Sequence, residues 1–317
     1  MDDKTFCKKY RKEKIKYYSN ALLRRVVNKE LFKLKLGEGY LEKEKGCEEI
    51  YRLLTSDDPF LVSRFGGTEI RTVADVLYER AGGHLGGLNK KSINRIVNLS
   101  GFFPADKEAV YKFVDIYTES CKEIDILGSW NIFMHEEIRR MFSPNARCVD
   151  LNVLDPYQFE YPWSYGLKNR KVLVIHPFSN TIENQYQKRV FIFQNEKILP
   201  EFELHTLKAV QTLAGRREER YSDWFEALDY MKTKALEEDF EIALVACGAY
   251  GLPLSAQLKK AGKQVIHVGG SLQLLFGIKG ARWDNSDVAK MYNNYWVRPT
   301  DEDRIPDLRV VEKGCYW

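Results

Sequence analysis

Apolar residues in this chain recur with two different spacings. Short, nearly unbroken apolar runs occur at Phe60-Leu-Val-Ser63, Ile124-Asp-Ile-Leu127, Val172-Leu-Val-Ile175, Ile242-Ala-Leu-Val-Ala246 and Gln264-Val-Ile-His-Val268. Each is the length of a strand and too short for a helix, and the absence of polar alternation predicts strands covered on both faces. Between them the spacing shifts to that of a helix, as in Ile70, Val73, Ala74 and Leu77, where Thr68 is placed to cap the first turn. A helix over 46–54 is predicted to stop before Ser56-Asp-Asp-Pro59. The stretch up to about Lys122 reads as helical with an interruption at Gly101 and Pro104, Asn180 and Glu183 fit a capping box, and Pro253 suits the start of another helix.

Strands alternating with helices predict an α/β fold: a doubly wound, mostly parallel sheet with helices on both faces, preceded by a helical N-terminal arm. The expected division is a basic arm over 1–54 and the α/β domain over 55–317. The segment from Trp283 to Trp317 is polar and aromatic and is expected to wrap the core irregularly. No repeat or low-complexity linker cuts the chain.

Composition narrows this picture in three ways. With 317 residues, 44% hydrophobic and 30% charged, the chain can build a sizeable core, and no apolar stretch is long enough to span a bilayer. The six cysteines, at 7, 47, 121, 148, 247 and 315, lack metal-ligand spacing and fit a reducing, cytoplasmic setting. Charge is uneven: residues 1–36 carry twelve Lys or Arg against four Asp or Glu, a surplus of eight in a chain whose net charge is +4. Apolar residues at 21–27 and at Leu31, Phe32, Leu34 and Leu36 interleave with these cations, so residues 1–36 are expected to make peripheral contact with an anionic membrane surface. No nucleic-acid reading motif accompanies them.

Parallel sheets bind ligands beyond the carboxyl ends of their strands, which selects the loops after the five runs. These contain Arg64, Gly66, Gly67 and Glu69, then Ser129 and Trp130, then His176 and Ser179, then Gly248, Tyr250 and Gly251, and finally the segment from Gly269-Gly270 to Lys279, Arg282 and Trp283. Glycines permit close approach to an anion, the cations neutralise it, and Trp130 or Tyr250 can stack on a planar ring. No Gly-x-Gly-x-x-Gly fingerprint, triphosphate-binding loop or Gly-x-Ser-x-Gly elbow is present, which argues against a dinucleotide enzyme, a P-loop enzyme and a serine hydrolase.

Ser-Arg64-Phe-Gly-Gly67-Thr-Glu69 resembles the Arg-Phe-Gly-Asp-Gly-Glu segment of bacterial GT-D-type glycosyltransferases. His176-Pro-Phe-Ser179, Cys247-Gly-Ala-Tyr-Gly251 and the run from His267 to Trp283 are similar to segments of related surface-polysaccharide proteins. The resemblance covers about residues 55–317. It implies a Rossmann-like fold and transfer of a sugar from a nucleotide-diphosphate donor, with a divalent cation, Mn²⁺ or Mg²⁺, held by an Asp-x-Glu motif. Glu69 occupies the Glu position, whereas Gly67 stands where the family has Asp. The second carboxylate then comes from Asp155 or Asp284, or else Arg64, Lys279 and Arg282 stabilise the diphosphate without metal.

On this reading the chain moves a hexose to a hydroxyl of a saccharide or lipid-linked acceptor, with inversion. Arg64, Gly66, Trp130, Gly248, Tyr250, Gly269, Gly270, Lys279 and Arg282 hold the donor. His176, Asp155 and Glu183 are candidates to take the acceptor's proton. The alternatives are a nucleotide-sugar hydrolase and a non-catalytic nucleotide or sugar binder.

Overall fold

The structure, a computed structural model, describes residues 1–23, 40–83, 86–212, 219–303 and 314–317, with the side chains of 17–23 outside the description. Along the chain run α1 (Asp3–Leu23), α2 (Lys43–Leu54), β1 (Leu61–Arg64), α3 (Gly67–Arg80), α4 (Lys90–Ser100), α5 (Lys107–Cys121) and β2 (Ile126–Ser129). Next come α6 (His135–Phe142), β3 (Arg147–Asp150), β4 (Lys171–His176), α7 (Ser179–Tyr186) and β5 (Glu203–Lys208). The last elements are α8 (Trp224–Glu237), β6 (Ile242–Val245), α9 (Gly251–Lys260), β7 (Gln264–His267) and the single turn α10 (Leu272–Leu275).

The seven strands among the described residues form one parallel sheet in the order β3-β2-β1-β7-β6-β4-β5. The apolar runs are strands because both of their faces are buried. Leu61, Leu173, Ile175, Ala243, Val245 and Val265 point into a core shared with α1, α3, α4, α5, α6, α8 and α9. The alternate residues Val62, Val172, Val174, Ile242, Leu244 and Ile266 point into a second core with α2, α7 and α10. The fold is therefore doubly wound α/β and Rossmann-like, as the pattern predicts.

Both predicted units, 1–54 and 55–317, contribute to these cores. Phe6 and Tyr10 of α1 pack in the first, while Cys47, Ile50 and Leu54 of α2 pack in the second. Tyr10 donates to Asp75 at 2.6 Å, and Ser92 and Arg95 donate to the same buried carboxylate at 2.6 and 3.1 Å. Of the segment expected to touch a membrane, 1–36, residues 24–36 lie outside the described residues. Among the described residues no helix is long and apolar enough to cross a bilayer.

Two local expectations are corrected. Gly66, rather than Thr68, precedes the first residue of α3. The capping box at α7 does not form: Thr181 N–H donates 2.8 Å to Asp303, and Glu183 instead accepts from the hydroxyl of Thr206 on β5. A carboxylate from a distant segment thus satisfies the helix start that sequence spacing assigned to a neighbour.

Candidate functional site

Neighbouring strands β1 and β7 send their following helices to opposite sides of the sheet, since α3 packs in one core and α10 in the other. Their loops separate at the carboxyl rim, and the space between them is a crevice. It encloses about 460 Å³. Arg64, Gly66, Glu69 and Trp130 line one side of the sequence-predicted set, and His176, Gly248, Gly269, Gly270 and Arg282 complete it.

The arrangement at β1 follows from its local chemistry. Trp130 donates its indole N–H to Phe65 O at 3.0 Å, which fixes the ring, and the Arg64 guanidinium lies 5.1 Å from its centroid. Gly269 has φ +79, and a Cβ there would come within 3.2 Å of the Arg64 side chain. Glycine at 269 accordingly allows both the left-handed turn and the seating of Arg64. Gly67 lies against the same indole, with a Cβ placed 3.3 Å from Trp130 Cη2. The ring occupies the direction in which a side chain at position 67 would leave the backbone.

Both histidines at the rim are neutral. His176 is buried, and its Nδ1 accepts from Phe178 N–H at 2.9 Å; burial lowers its pKa to about 3. The ring proton then sits on Nε2, so His176 offers the cavity a donor rather than the lone pair that a base needs. His267 stands 2.9 Å from Ser63 Oγ through Nδ1, and burial, with the Arg64 charge, lowers its pKa to about 3.

Five residues expected to hold the donor, a cation or the proton do not line the cavity. Lys279 turns to the Tyr292 ring, 5.2 Å from its centroid, because its backbone N–H pairs with Val297 O at 2.7 Å. Tyr250 is buried beneath the rim, stacked on Trp224 at 4.9 Å. Asp155 hydrogen-bonds Ser271, Tyr157 and Gln158, and its pKa is raised to about 6 by desolvation, which those hydrogen bonds oppose. Glu183 is exposed on α7. Asp284, the other suggested carboxylate, pairs with Arg298 at 2.7 Å.

Sequence reasoning missed Arg71, Arg95, Gln273, Tyr316 and Trp317, which also line the cavity. The arginines lie within helices, and only a helical projection of Arg71 from the rim residue Thr68 hints at its place. Tyr316 and Trp317 reach the site because Gln273 Nε2 donates to Tyr316 O at 3.0 Å as well as to Ile278 O and Lys279 O. Arg282 is exposed and donates to Tyr316 Oη at 2.9 Å.

No protein-family model, curated protein or solved structure matches the chain.

Among the described residues, four arginines and one carboxylate line the crevice, which makes this lining cationic. The donor set does not fit a divalent cation held by the protein: among the described residues no group of three or more His, Cys, Asp or Glu side chains converges. Glu69 stands alone, Trp130 covers Gly67, and Asp155 is engaged at Ser271. Cys247, which follows β6 at the rim, is buried, and desolvation pushes its thiol far above the ordinary value, which argues against a nucleophilic role.

Proposed function

We propose that the chain binds a nucleoside diphosphate sugar in this crevice and transfers the hexose to a hydroxyl of a saccharide or lipid-linked acceptor. The supporting observation is the convergence of Arg64, Gly269, Gly270 and Arg282 with the face of Trp130 on one cavity. Arginine forks match phosphate oxygens, and the glycine backbone allows a diphosphate to approach. The indole offers a planar, partly apolar surface for a base or sugar ring.

Breaking the anomeric bond moves an electron pair onto the departing diphosphate, so cations at that point stabilise the transition state more than the bound donor. His176, donating from Nε2, adds a neutral hydrogen bond on the same rim. In this scheme the arginines supply that positive charge.

The test is to follow a panel of nucleotide sugars by mass spectrometry, with and without saccharide acceptors. Consumption of one donor with formation of a glycoside is expected. Donor loss yielding only free sugar indicates hydrolysis, and binding of nucleoside diphosphate without consumption indicates a non-catalytic receptor. Either result removes the transferase reading. Binding to anionic liposomes at low salt tests peripheral membrane contact through residues 1–36.

A further inference from the structure

Glycosyl transfer to a hydroxyl leaves one proton to be accepted, and the rim histidines are poorly arranged for it. The Nδ1 lone pair of His176 is taken by Phe178 N–H. His267 is held through Nδ1 by Ser63 Oγ, and its Nε2 faces Gly251, where a Cβ would lie only 2.2 Å away. Tyr316 Oη already accepts from Arg282. Asp155 and Glu183 are outside the lining.

One carboxylate remains among the described lining residues. Glu69, in the first turn of α3, lines the cavity while only 7% exposed. Among the described residues it makes no hydrogen bond or ion pair. A carboxylate so buried and unpartnered is an acceptor waiting for a ligand's proton donor. Its position depends on Gly66: a Cβ there would lie 1.8 Å from Glu69 Oε2, although the backbone at φ −72 and ψ 136 suits any residue.

Resting on the proposed transferase activity, we infer that Glu69 is the catalytic residue that accepts the proton of the acceptor hydroxyl. The acceptor oxygen bonds to the anomeric carbon as the bond from that carbon to the phosphate oxygen breaks. The electron pair leaves with the nucleoside diphosphate, the hydroxyl proton passes to Glu69, and solvent later receives it. The carboxylate thus serves transfer itself and is not a ligand for a cation.

Three measurements on the full chain test this: pyrophosphate affinity by calorimetry, melting temperature, and turnover of the donor found in the panel, with EDTA or Mn²⁺. Glu69→Gln is expected to keep melting temperature and to bind pyrophosphate within about twofold of wild type, while kcat falls by roughly 10²–10⁴. Glu69→Asp should recover part of that loss. Gly66→Ala, which displaces the carboxylate without removing it, should lower kcat by about tenfold with little change in KM. Wild-type turnover in Glu69→Gln overturns the assignment alone. Turnover abolished by EDTA and restored by Mn²⁺ in wild type, with Glu69→Gln unresponsive, overturns it in favour of a cation ligand. Pyrophosphate binding with no donor consumed by wild type overturns the transferase reading and this role together.

Discussion

The two walls of the crevice differ in how firmly they are built. The wall from β1, α3 and the end of β2 is fixed: Trp130 is tied to Phe65 O, Arg64 lies over its ring, and Glu69 is buried beside Gly66. The opposite wall, from the end of β7 and the chain terminus, carries the exposed Arg282, held by a phenol at 2.9 Å. Groups that meet a transition state gain from being immobile in a low-dielectric setting, whereas an exposed cation is screened and serves mainly to attract charge. The difference assigns bond-making and the firm hold on the diphosphate to the first wall, and its initial attraction from solvent to the second.

Acidification should produce the largest change, and it acts on the rim as a whole through His176 and His267, which end β4 and β7. Their folded pKa values, about 3, lie below the ordinary histidine value, as does that of buried His135 at about 4. The unfolded chain therefore takes up these protons first, so the stability they contribute is full above about pH 6.5 and drains as pH falls toward 3. Each histidine contributes a slope of roughly 1.4 kcal/mol per pH unit. Asp155, raised to about 6, works in the opposite sense and cancels about one of the three between pH 6 and 4. Denaturant midpoints measured from pH 7 to 4.5 should fall steeply, and a flat profile would break the neutral-histidine account.

Next in size is Arg64→Ala, expected to weaken pyrophosphate binding by roughly 10–100-fold through loss of charge-assisted bonds in a half-buried setting. Arg282→Ala should cost only about three- to tenfold, and its deficit should shrink further at high salt. Equal losses at both positions, measured by calorimetry, would erase the contrast between the walls. The smallest effect belongs to Lys279→Ala. With its side chain over Tyr292, pyrophosphate affinity should stay within about twofold of wild type.

Five of the seven strands were legible from sequence, and the two missed are the sheet's edges, β3 and β5. Central strands such as Ile242–Val245 are apolar throughout because helices cover both faces. Glu203–Lys208 is only partly covered and mixes charge with apolar residues, so it lacks that signature. The site was legible at Arg64, Trp130 and Gly269, which end a strand or follow one within two residues. Lys279 and Tyr250 were misplaced because loop proximity does not fix side-chain direction, and in each case an aromatic neighbour set it. Arg71 and Arg95 reach the cavity from helices, a three-dimensional coincidence that no local spacing encodes.

The seating of Tyr10 has a practical bearing on the N-terminal cations. Its ring is wholly enclosed, stacked on Tyr78 at 4.0 Å, and its hydroxyl serves the carboxylate that also holds Arg95 at the cavity. Trimming the chain's front end would empty an aromatic-sized space, at about 3–5 kcal/mol, and loosen a cavity arginine. Lipid attraction is therefore best probed by exchanging individual lysines for glutamine, which alters charge and leaves the aromatic plug in its socket.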